Sequence, residues 1–189
     1  MSAPALELRA FSPETWADFR RIHCEANDTG WCSCVAWWVE TWDEFKGRSA
    51  AENLAQREAL CRAGEYDGYL LYAEGEPAAW CQVGPRDRLV KLRRQYGLEP
   101  EPETWAISCF QVVPARRRQG LARSLLERVL AELRREGVQR VEAFPKRGAE
   151  LDVLDLWRGP EALYRDFGFE VWRDAPAAPV LRLDLFGAA

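Results

Sequence analysis

Residues 112–133, VVPARRRQGLARSLLERVLAEL, place three consecutive arginines and a glycine between an apolar run and an amphipathic helical pattern. A helix start leaves backbone N–H groups unpaired and carries partial positive charge. Arg116, Arg117 and Arg118 are unfavourable at such a start unless an anion meets them there. Gly120 lets the backbone approach a ligand with no Cβ in the way. The N–H groups from about Arg117 to Ala122 can then surround a phosphate. The alternative is that the arginines only solvate a loop.

Composition narrows whose phosphate this is. The 189 residues are enough for one buried core and few for two. Hydrophobic residues at 48% and charged residues at 30% are globular rather than disordered proportions. A net charge of −4 speaks against general nucleic-acid binding, which needs a broad basic surface. The basic residues cluster locally, at 116–118 and in RDRLVKLRR (86–94), as suits a small polyanion. No apolar run approaches the roughly 20 residues that span a bilayer. MSAPALELRAF lacks the basic and apolar regions of a signal peptide, so a cytoplasmic location is expected. The six cysteines are then expected to be mostly reduced thiols. Nine tryptophans are many for one small domain, and several crowd GWCSCVAWWVETW, residues 30–42.

The elements that must position this site follow from periodicity and turn chemistry. LELRAF (6–11) alternates as a strand, and SPETWADFRRIHCEA follows as a helix with Ser12 as N-cap and Pro13 in its first turn. Trp16, Phe19 and His23 share one face of that helix. Residues 26–47 have no clean period and read as an aromatic loop with room for a short helix. Ser49 and Glu52 stand at capping-box spacing and open a helix ending near Gly64. GYLLYAEGEPAAWCQVG reads as two strands around Glu74-Gly75-Glu76, and residues 87–95 as a short helix. TWAISCFQVV (104–113) is apolar on both faces, as a central strand is. After Gly120, residues Leu121, Ala122, Leu125, Leu126, Val129, Leu130 and Leu133 form a helical stripe. QRVEAF (139–144) is the next strand, then a short helix, a turn at Gly168, a strand, and VLRLDL (180–185) closing the sheet.

With these elements in place, the sequence resembles the GCN5-related N-acetyltransferases (GNATs). Their acetyl-CoA signature, Q/R-x-x-G-x-G/A, is matched by Arg117-Arg118-Gln119-Gly120-Leu121-Ala122. The preceding VVP, the leucine-rich helix and the late LYRDFGFE are also similar to the family. The resemblance is good over residues 104–173 and looser before them. It implies an α/β (α+β) GNAT fold, a mixed, mostly antiparallel sheet of six or seven strands flanked by helices. It also implies one domain over 1–189, with 1–103 building the acceptor side and 104–189 the acetyl-CoA side.

On that resemblance the anion is the pyrophosphate of coenzyme A, held by backbone N–H groups of residues 117–122. Arg116, Arg117, Arg118 and Arg123 are available for the remaining phosphate. The pantetheine arm is expected against the backbone of Phe110, Gln111, Val112 and Val113, where two parallel strands splay apart. The implied reaction is direct acyl transfer from a thioester to an amine. Tyr164 in ALYRDFGF takes the place of the family's thiolate-protonating tyrosine, the alternative being a tyrosine packed on the sheet. Glu142 and Cys109 are the candidates for a general base, with a water chain or a merely solvated Glu142 as alternatives.

The chain departs from the family where N-x-x-A usually precedes L-Y: here stand Trp157-Arg158-Gly159-Pro160, after a longer loop. The Cys-x-Cys opening of the first half and the later WAISCF (105–110) resemble an uncharacterised bacterial subgroup. The aromatic wall of the first half, with Glu40, Asp43 and Glu44 nearby, suits an amine on an apolar or planar scaffold, or is simply core. His23, Cys24, Cys32 and Cys34 are zinc-ligand types, but Cys32-x-Cys34 is tighter than structural zinc spacing, and no metal is expected. Nothing around Cys32 and Cys34 marks a redox-active thiol. The expectation is an acetyltransferase that uses acetyl-CoA on a primary amine of a small molecule. No nucleic acid or membrane partner is expected, and a homodimer is left open. The rival reading is a non-catalytic acyl-CoA sensor on the same fold.

Overall fold

The computed structural model describes residues 5–26, 33–152 and 155–187. Seven strands form one sheet: β1 (Leu6–Ala10), β2 (Tyr69–Ala73), β3 (Glu76–Pro85), β4 (Thr104–Val112), β5 (Arg140–Ala143), β6 (Glu170–Arg173) and β7 (Val180–Asp184). Their spatial order is β1-β2-β3-β4-β5-β7-β6. Every neighbouring pair is antiparallel except β4 with β5. The helices are α1 (Trp16–Ala26), α2 (Trp42–Gly47), α3 (Ala50–Arg62), α4 (Val90–Tyr96), α5 (Leu121–Arg135) and α6 (Glu161–Asp166). Among the described residues, no helix is long and apolar enough to cross a membrane.

Local chemistry places most of these elements. Ser49 and Glu52 close a reciprocal capping box on α3. Before α1, Ser12 donates its N–H to Thr15 Oγ1 at 2.9 Å, and Pro13–Thr15 winds as a 3₁₀ turn rather than as part of the α-helix. One α5 face buries Leu121, Leu125, Leu126, Val129, Leu130 and Leu133 against β2, β3, β4, β5 and β7, together with Tyr164 of α6. The opposite sheet face carries Phe19 and Ile22 of α1 on Leu70, Tyr72, Trp80 and Cys109. Beside them, Trp37 and Leu92 of α4 pack with Ala106, Phe144 and Val180.

The expectation that residues 180–185 close the sheet is corrected. β7 lies between β5 and β6, and β6 is the edge. Burial gives the reason: Val180 and Leu181 are covered, whereas Glu170, Trp172 and Arg173 are exposed, as an edge tolerates.

Gly68 is fixed by close approach. A Cβ on Gly68 would lie 2.2 Å from the Trp80 ring and 2.6 Å from the Cys81 carbonyl oxygen. Trp80 is fully buried and the carbonyl is backbone, so neither yields easily. Gly68→Ala is expected to lose about 2–3 kcal/mol, read from the midpoint of urea unfolding.

Candidate functional site

The register of β4 creates the site. Ala79–Gln82 pair with Val112–Cys109, but Val83 pairs with Ile107, so Ser108 is an extra residue in β4. Ile107 and Phe110 therefore both face α5, three residues apart. On its other edge β4 pairs with β5 only from Thr104 to Ile107, against Arg140 to Ala143. Beyond that point β5 has ended and β4 runs on with β3 alone.

Hydrogen-bond phase shows which β4 groups face the split. Val113 N–H donates to Ala78 O at 3.0 Å. In an antiparallel ladder bonded and non-bonded pairs alternate. Gln111 with Trp80 is then a bonded pair, whereas the N–H and C=O of Phe110 and Val112 point away from β3. The carbonyl of Val112 indeed accepts Arg117 Nε–H at 3.0 Å from that side. The Gln111 side-chain oxygen is buried with no hydrogen-bond partner among the described residues.

The chain then turns sharply into α5. Pro114–Arg116 is a 3₁₀ turn, Arg118 has φ 61° and Gly120 has φ 79°. A left-handed arginine costs about 1–2 kcal/mol, the sort of strain that collects at functional turns. Ser124 N–H is the first to bond back, to Gly120 O at 3.1 Å. The N–H groups of Leu121, Ala122 and Arg123 therefore have no acceptor within the helix. A Cβ on Gly120 would meet nothing within 4 Å, so the space above these donors is open.

The arginines are not equivalent. Arg116 pairs with Glu74 at 3.0 Å, Arg117 is held by the Val112 carbonyl, and Arg123 pairs with Asp166. Arg118 is exposed, with no ion pair among the described residues. Gln119 is exposed and donates to Ala115 O at 3.2 Å. The second basic cluster is largely committed elsewhere: Arg86 to Glu142, Arg88 to Asp67 and Arg93 to Asp87.

Tyr164 comes to the split from α6, fully buried and edge-on to Phe110. Its hydroxyl donates to Arg158 O at 2.7 Å. Burial pushes its phenol well above the usual value, the Cys81 and Cys109 thiols add to this, and Arg158 opposes it. The group therefore keeps its proton at neutral pH. The Trp157-Arg158-Gly159-Pro160 departure acquires a role here. Gly159 has φ 80°, and a Cβ there would lie 2.4 Å from the Tyr164 hydroxyl oxygen. Trp157 stacks on Trp37 with ring centres 6.0 Å apart. The Asp155–Arg158 turn thus packs on β4 and holds Tyr164 at the same time.

The expectation of Glu142 as a base meets a different geometry. Its carboxylate is fully buried, with Arg86 Nη1 at 2.9 Å and 3.0 Å from its two oxygens and Arg182 Nη2 at 2.6 Å. It sits opposite Ala106, where β4 and β5 are still paired. Both oxygens are engaged by guanidinium groups, which opposes a role as base. Cys109 is buried on the α1 side of the sheet. His23 is likewise a packed residue, its Nδ1 2.9 Å from Phe19 O. Cys32 and the Cys34 side chain lie outside the described residues.

Comparison with known proteins bears on the family and the fold. The family model for the acetyltransferase (GNAT) family matches residues 31–169. No curated protein matches the chain in sequence. In fold, it is similar to an acetyltransferase from Thermus thermophilus, at 17% identity over 97% of this chain and 99% of that one, with a TM-score of 0.61. The ribosomal-protein-S18-alanine N-acetyltransferase of Escherichia coli superimposes at 0.56, with 17% identity over 98% and 97% of the two chains. An acetyltransferase-like protein of Salmonella typhimurium, solved with its cofactor acetyl-CoA, gives 0.56, with 20% identity over 98% and 96%.

Proposed function

Since the chain belongs to the GNAT acetyltransferase family, we propose that it moves an acetyl group from acetyl-CoA to a primary amine of a small molecule by direct transfer. The observation that carries this reading is the split between β4 and β5, opening beside a helix start whose donors are unbonded. The fit is chemical. The N–H groups of Leu121, Ala122 and Arg123 suit a pyrophosphate, and Arg118 is the cation free to reach the remaining phosphate. The outward N–H and C=O groups of Phe110 and Val112 suit the amides of an extended arm, with the Gln111 carboxamide beside them. Leu121 and Ala122 act through their backbone, since Leu121 is itself core.

Acetyl-CoA, when bound, supplies an activated thioester; positioning and proton control fall to the chain. An N–H on β4 aimed at the split can stabilise a developing oxyanion. Tyr164 holds a proton next to Phe110 and, on turning from the Arg158 carbonyl, can give it to a departing thiolate. No side chain is assigned as base, because Glu142 is neutralised by Arg86 and Arg182.

The test is thioester consumption with and without a panel of primary amines. Amine-dependent turnover is expected. Tyr164→Phe should lower kcat roughly a hundredfold with acetyl-CoA affinity nearly unchanged. An unchanged kcat removes Tyr164 from the chemistry. Because the Tyr164 hydroxyl is committed to a carbonyl, a non-catalytic acyl-CoA sensor is the second reading. Tight acetyl-CoA binding without turnover on any amine would favour it.

A further inference from the structure

A cleft of about 240 Å³ opens on the acceptor half, between the aromatic segment and α4. Its walls include Trp37, Trp38, Glu40, Arg88, Lys91 and Arg94. It is smaller than the roughly 300 Å³ at which pockets for whole drug-sized ligands begin, so it has room for one end of a molecule. Its charge is uneven. Arg88 is neutralised by Asp67, but neither Lys91 nor Arg94 has a carboxylate within ion-pair distance among the described residues. Glu40 is the one carboxylate on the lining, which leaves one positive charge in excess.

Two buried groups point to a ligand. Lys91 is only 7% exposed, with its ammonium 4.0 Å from the Trp42 ring centre and a long 3.5 Å contact to Thr41 O. Burial lowers its pKa, and the charge of Glu44 only partly offsets this. Trp37 is 1% exposed, and its indole N–H has no acceptor among the described residues. A buried donor without an acceptor and a buried cation with no carboxylate at ion-pair distance are both costly, and one oxyanion can answer both.

The place of the cleft in the fold says which molecule brings that oxyanion. Trp37 is its wall, and the same indole packs with Ala106, one residue before the last β4–β5 pair, and with Phe144, one residue after it, and stacks on Trp157. We infer that this cleft receives the oxyanion, a carboxylate or a phosphate, of the amine acceptor, so that the substrate is an anionic amine rather than a purely apolar one. This rests on the acetyl-transfer reading above. Trp37 and Trp38 would cover the body of the acceptor while Lys91 and Arg94 hold its charged end.

The experiment compares matched amines: phenylalanine against phenethylamine, and phosphoethanolamine against ethanolamine. Rates come from thioester consumption, and binding from calorimetry on the full chain saturated with coenzyme A. At least one anionic amine should exceed its neutral partner roughly tenfold or more in kcat/KM, and the better of the two identifies carboxylate or phosphate. Lys91→Met and, separately, the exposed Arg94→Gln should erase that preference without changing acetyl-CoA affinity. Equal or better use of the neutral amines, or a preference that survives Lys91→Met, overturns the inference. If no amine is consumed, the binding arm decides. Binding of an anionic probe that Lys91→Met abolishes keeps the cleft and sinks acetyl transfer, whereas no binding of either probe sinks the cleft. Loss of acetyl-CoA binding itself counts only against the transfer reading.

Discussion

Gly120→Glu is expected to reduce acetyl-CoA affinity by a hundredfold or so, while the protein stays folded. The fold survives because a Cβ at this position meets nothing within 4 Å, so no core contact is disturbed. The affinity falls because the same open space lies over the N–H groups of Leu121, Ala122 and Arg123. A carboxylate there accepts those hydrogen bonds itself and repels a phosphate. Hydrogen bonds to a charged group are worth about 1.5–3 kcal/mol each, so losing two costs about 3 kcal/mol or more, over about a hundredfold. Gly120 also has φ 79°, which a side chain resists by about 1–2 kcal/mol. Gly120→Ala carries that strain without the charge and separates the two effects. It should lose stability similarly in urea, yet lose far less affinity by titration calorimetry. Equal affinities for the glutamate variant and the wild type would remove the helix start from the binding site. Arg118→Ala should weaken acetyl-CoA but not dephospho-CoA, because among the described residues Arg118 is the arginine of this turn held by neither an ion pair nor a hydrogen bond.

What could be read from the sequence was what is local in the chain. The α5 stripe, the Ser49–Glu52 box and the Glu74–Glu76 turn are each set within a few residues, and periodicity or capping chemistry finds them. The acetyl-CoA signature was legible for the same reason: strand, turn, glycine and helix are contiguous. The surroundings of the acid–base candidates were not legible where partners are far apart. Glu142 reads as a solvated strand carboxylate because Arg86 stands 56 positions before it and Arg182 40 positions after it. The same distance makes 86–94 look like a free basic patch. The place of β7 inside the sheet is hidden for a related reason, since sequence order says little about which strand pairs where. The Trp157–Pro160 departure looks, in sequence, like a loss of function. Only the approach of Tyr164 to Gly159 shows a turn shaped to hold a phenol.

That buried charge cluster supports the other large expected effect. Glu142→Gln should lower the unfolding free energy by about 3–5 kcal/mol, with a matching fall in the urea midpoint. Arg86 is 1% exposed and Arg182 is mostly covered, and both direct donors at the carboxylate. Glutamine keeps the shape but offers one neutral oxygen, and its amide hydrogens would face a guanidinium. The two guanidiniums would then share Glu101, at 3.3 Å from Arg86 and 3.0 Å from Arg182, with Asp87 3.9 Å from Arg86 as the other carboxylate. Removing one partner of a buried pair costs more than the pair contributes, because the other charge stays desolvated. The result also separates structure from catalysis. If Glu142 only anchors β5 to β7 and to the turn after β3, the folded fraction of the variant should turn over amine at close to the normal kcat, with the same pH profile. Unchanged stability with a kcat that falls and a pH profile that loses its basic limb would restore Glu142 as the base. The location of the cluster favours the first outcome. It fastens β5 to β7 and to the turn after β3 at the level of Ala106, one pair before β4 and β5 separate. Loosening that point should also broaden the split, so the folded variant is expected to hold acetyl-CoA more weakly even where its kcat is preserved.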